Sequence, residues 1–197
     1  MRLHILILIV ASLSVVQHAF AGEDAALSKA RDALTRLKAE CDVPGQTNAS
    51  LWTSYVSATE RARHKAIEEL QSLDGKIAPL VRAESQQATN EYREMLTVAL
   101  AALRDDAAIL AAAELMVASQ KPAVRVCAAL ELRAIKDKRT IAHFKKALTD
   151  PFEREDGSCV RIGDGKIYPV RIIASDALVE LGVPFDEVRK LRGDARH

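Results

Sequence analysis

Aromatic residues make up only 4% of this 197-residue chain, with a single tryptophan. That scarcity, beside abundant Ala and Leu, is the composition of closely packed helices. A charge excess is lacking too. The chain carries 28 basic and 27 acidic residues, so it has no surplus for the basic face that a nucleic-acid partner would demand. Beyond the first 21 residues no apolar run is long enough to cross a bilayer. Catalytic signatures are missing as well: there is no HExxH, GxSxG, P-loop or Rossmann fingerprint. The histidines beyond residue 21, His64, His143 and His197, stand in no metal-ligand spacing. The expectation is a chain that is not an enzyme, with no cofactor and no metal.

The first 21 residues read as a secretory signal peptide. Arg2 supplies the positive start, Leu3 to Val16 is almost wholly apolar, and Ala19-Phe20-Ala21 forms a small-x-small cleavage signal before Gly22. The apolar core is too short for a spanning helix. Residues 22–197 are then expected to form one exported domain, periplasmic or extracellular. Removing the signal takes away one Arg and no acid, which leaves basic and acidic residues balanced.

What is present is an internal repeat. An apolar or small residue precedes Arg, with small or apolar residues at +4, +8 and +11. The four copies are Ala62-Arg63, Ala66, Leu70, Leu73; Tyr92-Arg93, Leu96, Leu100, Leu103; Val124-Arg125, Ala128, Leu132, Ile135; and Val170-Arg171, Ala174, Leu178, Leu181. These offsets fall on one face of an α-helix. The copies begin 30, 32 and 46 residues apart, the spacing of a helical hairpin, which predicts an α-solenoid. Partner helices are expected from Ile77, Ile109 and Ile141, each after a turn signal: Asp74-Gly75, Asp105-Asp106 or Asp137-Lys138. Ahead of the repeats, residues 22–48 supply a capping helix, Ala25 to Glu40, and a Pro-Gly linker. The next helix is expected from about Ser50 to Leu73, and a short terminal helix ends the chain near Leu191.

The Val-Arg openings, the paired Ala128-Ala129 and the closing Leu181-Gly182 resemble HEAT repeats, especially the short bacterial repeats of the phycobilisome-lyase type. The resemblance covers residues 50–191. It implies an all-α fold, an α-solenoid of HEAT-like helical hairpins, and protein–protein binding. Lyase-like or chromophore-chaperone activity has only that family analogy behind it. The His-Glu pairs of the iron-binding HEAT-repeat hydroxylases are absent.

The long interval before the last copy holds an insertion, residues 151–169. Within it, Cys159 to Ile162 and Lys166 to Tyr168 are β-prone runs around Gly163-Asp164-Gly165, which predicts a small β-hairpin. Insertions in repeat proteins gather on one face, often the binding face. Arg161, Asp164, Lys166 and Tyr168 are therefore the candidate protein-binding residues, against the ordinary reading of a charged, solvated hairpin. The recurrent arginines are read as architecture, tying adjacent turns through carboxylates or carbonyls.

Three cysteines in an oxidising compartment allow at most one intramolecular disulfide. Cys127–Cys159 is the preferred pair, since their segments neighbour each other in a solenoid, while Cys127 also reads as a small buried apolar residue. The functional expectation is an exported adaptor or scaffold for a protein or peptide partner, with no nucleic acid and no integral membrane segment. The alternative is a structural module of a cell-envelope assembly.

Overall fold

Each repeated pattern becomes a helix because its apolar positions line one buried face. The computed structural model describes residues 25–42, 56–73, 75–155 and 166–193. The order is α1 (residues 25–42), α2 (Ala58–Gln71), α3 (Ala78–Gln87), α4 (Asn90–Ala102), α5 (Asp106–Ala118), α6 (Pro122–Ile135) and α7 (Ile141–Ala147). Strands β1 (Arg154–Glu155) and β2 (Lys166–Ile167) follow, then α8 (Pro169–Glu180) and α9 (Phe185–Arg192). The described chain is thus all-α apart from one antiparallel strand pair. Among the described residues no helix is long and apolar enough to cross a membrane.

The four patterned helices are α2, α4, α6 and α8. Ala66, Leu70, Leu96, Leu100, Ala128, Leu132, Ala174 and Leu178 are all buried. Helix α4 packs on α6 and α6 on α8, while α5 packs on α7 behind them. The layers are joined by α4–α5, α5–α6 and α7–α8 contacts. Turns repeat with the helices. Arg104 after α4, Lys136 after α6 and Gly182 after α8 all stand in the left-handed region, with φ of 65°, 58° and 92°. Each lies at the same offset from its pattern, although only the last is the glycine that this backbone favours. Asp105 and Asp137 then cap the next turn, accepting from the N–H of Ala108 at 3.0 Å and of Arg139 at 2.8 Å.

Two expectations need correction. Helix α2 begins at Ala58, not near Ser50. Ser57 is extended, its hydroxyl accepts from Glu60 N–H, and the Glu60 carboxylate accepts from Ser57 N–H. This reciprocal capping box is a helix start. Second, a solenoid implies units that touch only their neighbours, and α2 reaches further. Helix α2 packs against both α4 and α6. His64 Nδ1 lies 2.5 Å from Glu131 Oε1, and Cys127 Sγ lies 4.0 Å from the Glu60 carbonyl. Both pairs are 67 residues apart, so α2 and α6 run parallel in fixed register. Helix α6 is consequently buried all round, from Val124 through Cys127 and Glu131 to Ile135.

Helix α1 buries Ala30, Ala33, Leu34 and Leu37. It is tied to α2 by the Arg36–Glu69 ion pair and to α4 by the Tyr92 hydroxyl on the Leu34 carbonyl, at 3.4 Å. The repeated arginines make the expected ties. Arg63 donates to the Glu40 carbonyl at 2.6 Å and to Glu91 at 2.6 Å. Arg93 donates to the Ala88 carbonyl, and Arg171 to that of Asp150. Arg125 grips Asp150 at 2.6 Å and the Ser119 carbonyl at 2.8 Å.

Candidate functional site

The insertion leaves the helices at Asp150, and that residue fastens its base. Its carboxylate takes Arg125 from α6 and the N–H of Phe152, while its carbonyl takes Arg171 from α8. Both side chains of the Arg125–Asp150 pair are buried, so the charges need each other and their remaining hydrogen bonds. Beyond Asp150, Arg154 pairs with Ile167 and Glu155 with Lys166. The expected strand at Lys166–Ile167 is therefore present, but its described partner is Arg154–Glu155. The Cys159–Ile162 run lies outside the described residues, as do Arg161 and Asp164.

Lys166 and Tyr168 are brought together on one carboxylate. Lys166 Nζ lies 2.8 Å from Glu153 Oε1, and the Tyr168 hydroxyl donates to Glu153 Oε2 at 3.2 Å. The Arg171 guanidinium stands over the Tyr168 ring, 4.0 Å from its centre, a favourable cation–π placement. Lys166 and Glu153 are both exposed. The result is a charged surface with one aromatic, held to α8.

The other side of the strand pair reaches back to α2. Arg154 Nη2 lies 2.5 Å from Glu60 Oε1, across 94 residues of sequence. Its guanidinium also stands over the Phe152 ring at 4.9 Å. Glu60 is only 1% exposed, and Arg154 and the Ser57 N–H engage its two carboxylate oxygens. The described ends of the insertion thus lie against α2 and α8.

Below this clasp runs the α2–α6 seam, which sequence reasoning missed. Cys127 is a free, fully buried thiol, and burial pushes it well above the usual thiol range. Its expected partner, Cys159, lies outside the described residues. One turn on, Glu131 is buried, with Oε1 on His64 and Oε2 without a hydrogen-bond partner. The far ring nitrogen of His64 faces Glu68 at 3.5 Å. Burial pushes Glu131 up, and its hydrogen bond holds His64 above the usual imidazole value. A lone Glu inside the near-continuous apolar run of α6 was the signal for such a pair, because a buried carboxylate demands a partner.

A separate open groove of about 730 Å³ lies where the end of α1 meets the α3–α4 turn. Lys38, Cys41, Asp42, Glu84, Glu91 and Lys121 are among its lining. Burial pushes the Cys41 thiol up to about 12, which leaves it poorly nucleophilic at neutral pH. Among the described residues no three His, Cys, Asp or Glu side chains converge in a metal-holding group. In comparisons with known proteins, the chain matches no family model, no curated protein and no solved structure.

Proposed function

We propose that this protein is an exported α-solenoid of HEAT-like repeats that serves as an adaptor or scaffold for a protein or peptide partner, which it engages through the 151–169 insertion. The observation that carries the reading is the bracing of the strand pair. Arg154 locks β1 to α2 through Glu60, and Arg171 holds the Tyr168 end to α8. Loops on rigid supports are the usual bearers of recognition. Tyr168 stands beside them with the charges of Glu153 and Lys166, and tyrosine is among the residue types enriched at interfaces.

The test replaces residues 156–165 with a short Gly-Ser turn, changes Lys166 and Tyr168 to Ala, and leaves Arg154 in place. Partner capture from the native envelope should be lost while the helical spectrum and melting stay unchanged. Capture that survives the replacement refutes the insertion as the binding element. Export is tested separately by mass spectrometry of the natively expressed protein, whose first residue should be Gly22.

A purely structural role in an envelope assembly has its own support. Val179, Phe185 and Leu191, on the last two helices, are 43%, 63% and 42% exposed, whereas the end of a stack is normally given a polar outer face. Recovery of the protein only within large complexes would favour this second reading.

A further inference from the structure

We propose that α1 and α2 form a strap across α4 and α6 that is held shut by a proton on His64. The inference stands whether or not the insertion binds a partner. It begins with Glu131, which is 1% exposed in the second half of the most enclosed helix. An ionised carboxylate in that position needs a counter-charge, and the group bonded to it is the His64 ring, from α2.

Among the described residues, the charged groups around the ring leave His64 no substitute. On its own helix Glu68 faces the far nitrogen at 3.5 Å. One turn back, Glu60 is taken by Arg154 from β1. Arg63 is taken by Glu91 from α4 and by the Glu40 carbonyl from α1. From α6, Cys127 offers a thiol that burial keeps protonated. A protonated imidazole therefore bridges two carboxylates, with Nδ1–H donating to Glu131 and Nε2–H facing Glu68. When the Nε2 proton leaves for water, Nδ1–H still donates. The ring no longer carries a positive charge, however, and its lone pair now faces the Glu68 carboxylate. The buried Glu131 charge is left uncompensated across the seam.

The pH response follows in sign. The hydrogen bond with Glu131 raises His64 above its ordinary 6.5, and burial raises Glu131 above 4.5. A group raised in the folded state contributes stability that is complete below its unfolded value and is lost as pH climbs through the folded one. Either proton relieves the buried charge at the seam, and the loss of the His64 proton as pH climbs through its raised value releases it. Asp105 and Asp137 respond oppositely. Arg82 and Arg139, respectively, hold them low, so their contributions are complete where the seam loosens. Arg36–Glu69 and Arg63–Glu40 bind α1 and α2 to each other, so they part as a unit, releasing Arg63–Glu91 and Arg154–Glu60 as they open, and terminal units of stacked helical proteins open locally.

Cys127 is the natural reporter, since its thiol lies fully buried against the Glu60 carbonyl of α2. The reduced full-length chain is labelled with N-ethylmaleimide, the Cys127 peptide is read by mass spectrometry, and each rate is divided by that of glutathione at the same pH. The ratio should rise several-fold between pH 6 and 9 as the linked proton leaves the seam. Far-UV circular dichroism should stay constant across that range. Glu131→Gln should flatten the rise, because an amide oxygen accepts Nδ1–H without carrying charge. His64→Gln should label fast even at pH 6. A flat wild-type ratio overturns the proposal, as does a rise that survives Glu131→Gln or one accompanied by loss of helix. If His64→Gln fails to fold, the wild-type and Glu131→Gln profiles still decide.

Discussion

Replacing Arg125 with Met tests whether the repeated arginines hold the structure together. Arg125 and Asp150 are 10% and 5% exposed at their side chains, and two guanidinium nitrogens face the carboxylate at 2.6 and 3.3 Å. Met fills much of the space but leaves Asp150 buried and unpaired, and it also orphans the Ser119 carbonyl. Removing one partner of a buried pair costs about 3–5 kcal/mol. With a urea dependence of about 2 kcal/mol per molar, the midpoint should fall by about 1.5–2.5 M. The control is Arg93→Met. Arg93 holds the same repeat position, but it is exposed and makes its bond to the Ala88 carbonyl at 2.8 Å. Its loss should stay below about 1 kcal/mol. Adding Asp150→Asn to Arg125→Met should recover part of the loss, since the uncompensated charge is gone while an acceptor for Phe152 N–H remains. Urea titrations followed by circular dichroism measure all of these. Equal losses at Arg125 and Arg93, or a loss at Arg125 within the ~0.5 kcal/mol of ordinary surface changes, would refute the reasoning.

Leu132, fully buried in the last turn of α6, should cost about 2–5 kcal/mol when cut back to Ala, read from the same titrations. Asp105→Ala should cost about 1 kcal/mol through the lost cap on α5. Because Arg82 holds Asp105 below its ordinary 3.8, that contribution is present above 3.8 and disappears as pH falls through the folded value. Melting curves of wild type and Asp105→Ala should therefore converge in acid, once the pH has fallen through the lowered value of Asp105, and a gap that persists there would show that the cap does not depend on the charge.

The helices were legible because burial on one face leaves a period in the sequence. The positions of α3, α5 and α7 followed from Asp105, Asp137 and the recurring Ile. The start of α2 was also legible, since Ser57-Ala58-Thr59-Glu60 is a capping-box sequence. Apolar spacing that continues upstream through Leu51 and Tyr55 concealed it. What could not be read is pairing between distant segments. Nothing local in Arg154 says that it meets Glu60, and β2 shows strand propensity without naming its partner. His64 and Glu131 each look ordinary alone; only the parallel register of α2 on α6 makes them a pair. The candidate site was legible in part, with Lys166 and Tyr168 converging on a Glu153 that the sequence reading had left unassigned.

The placement of α2 bears on how the chain is made. A polypeptide emerges from its amino end, so α1 and α2 are complete while α6, on which α2 rests, has yet to be synthesised or threaded. Until then the side of α2 that faces α6 has no lasting cover. The arrival of α6, more than fifty residues later in the sequence, is the moment at which α2 gains its last neighbour, and a ribosome stalled short of it would hold α2 with one side uncovered and prone to aggregate.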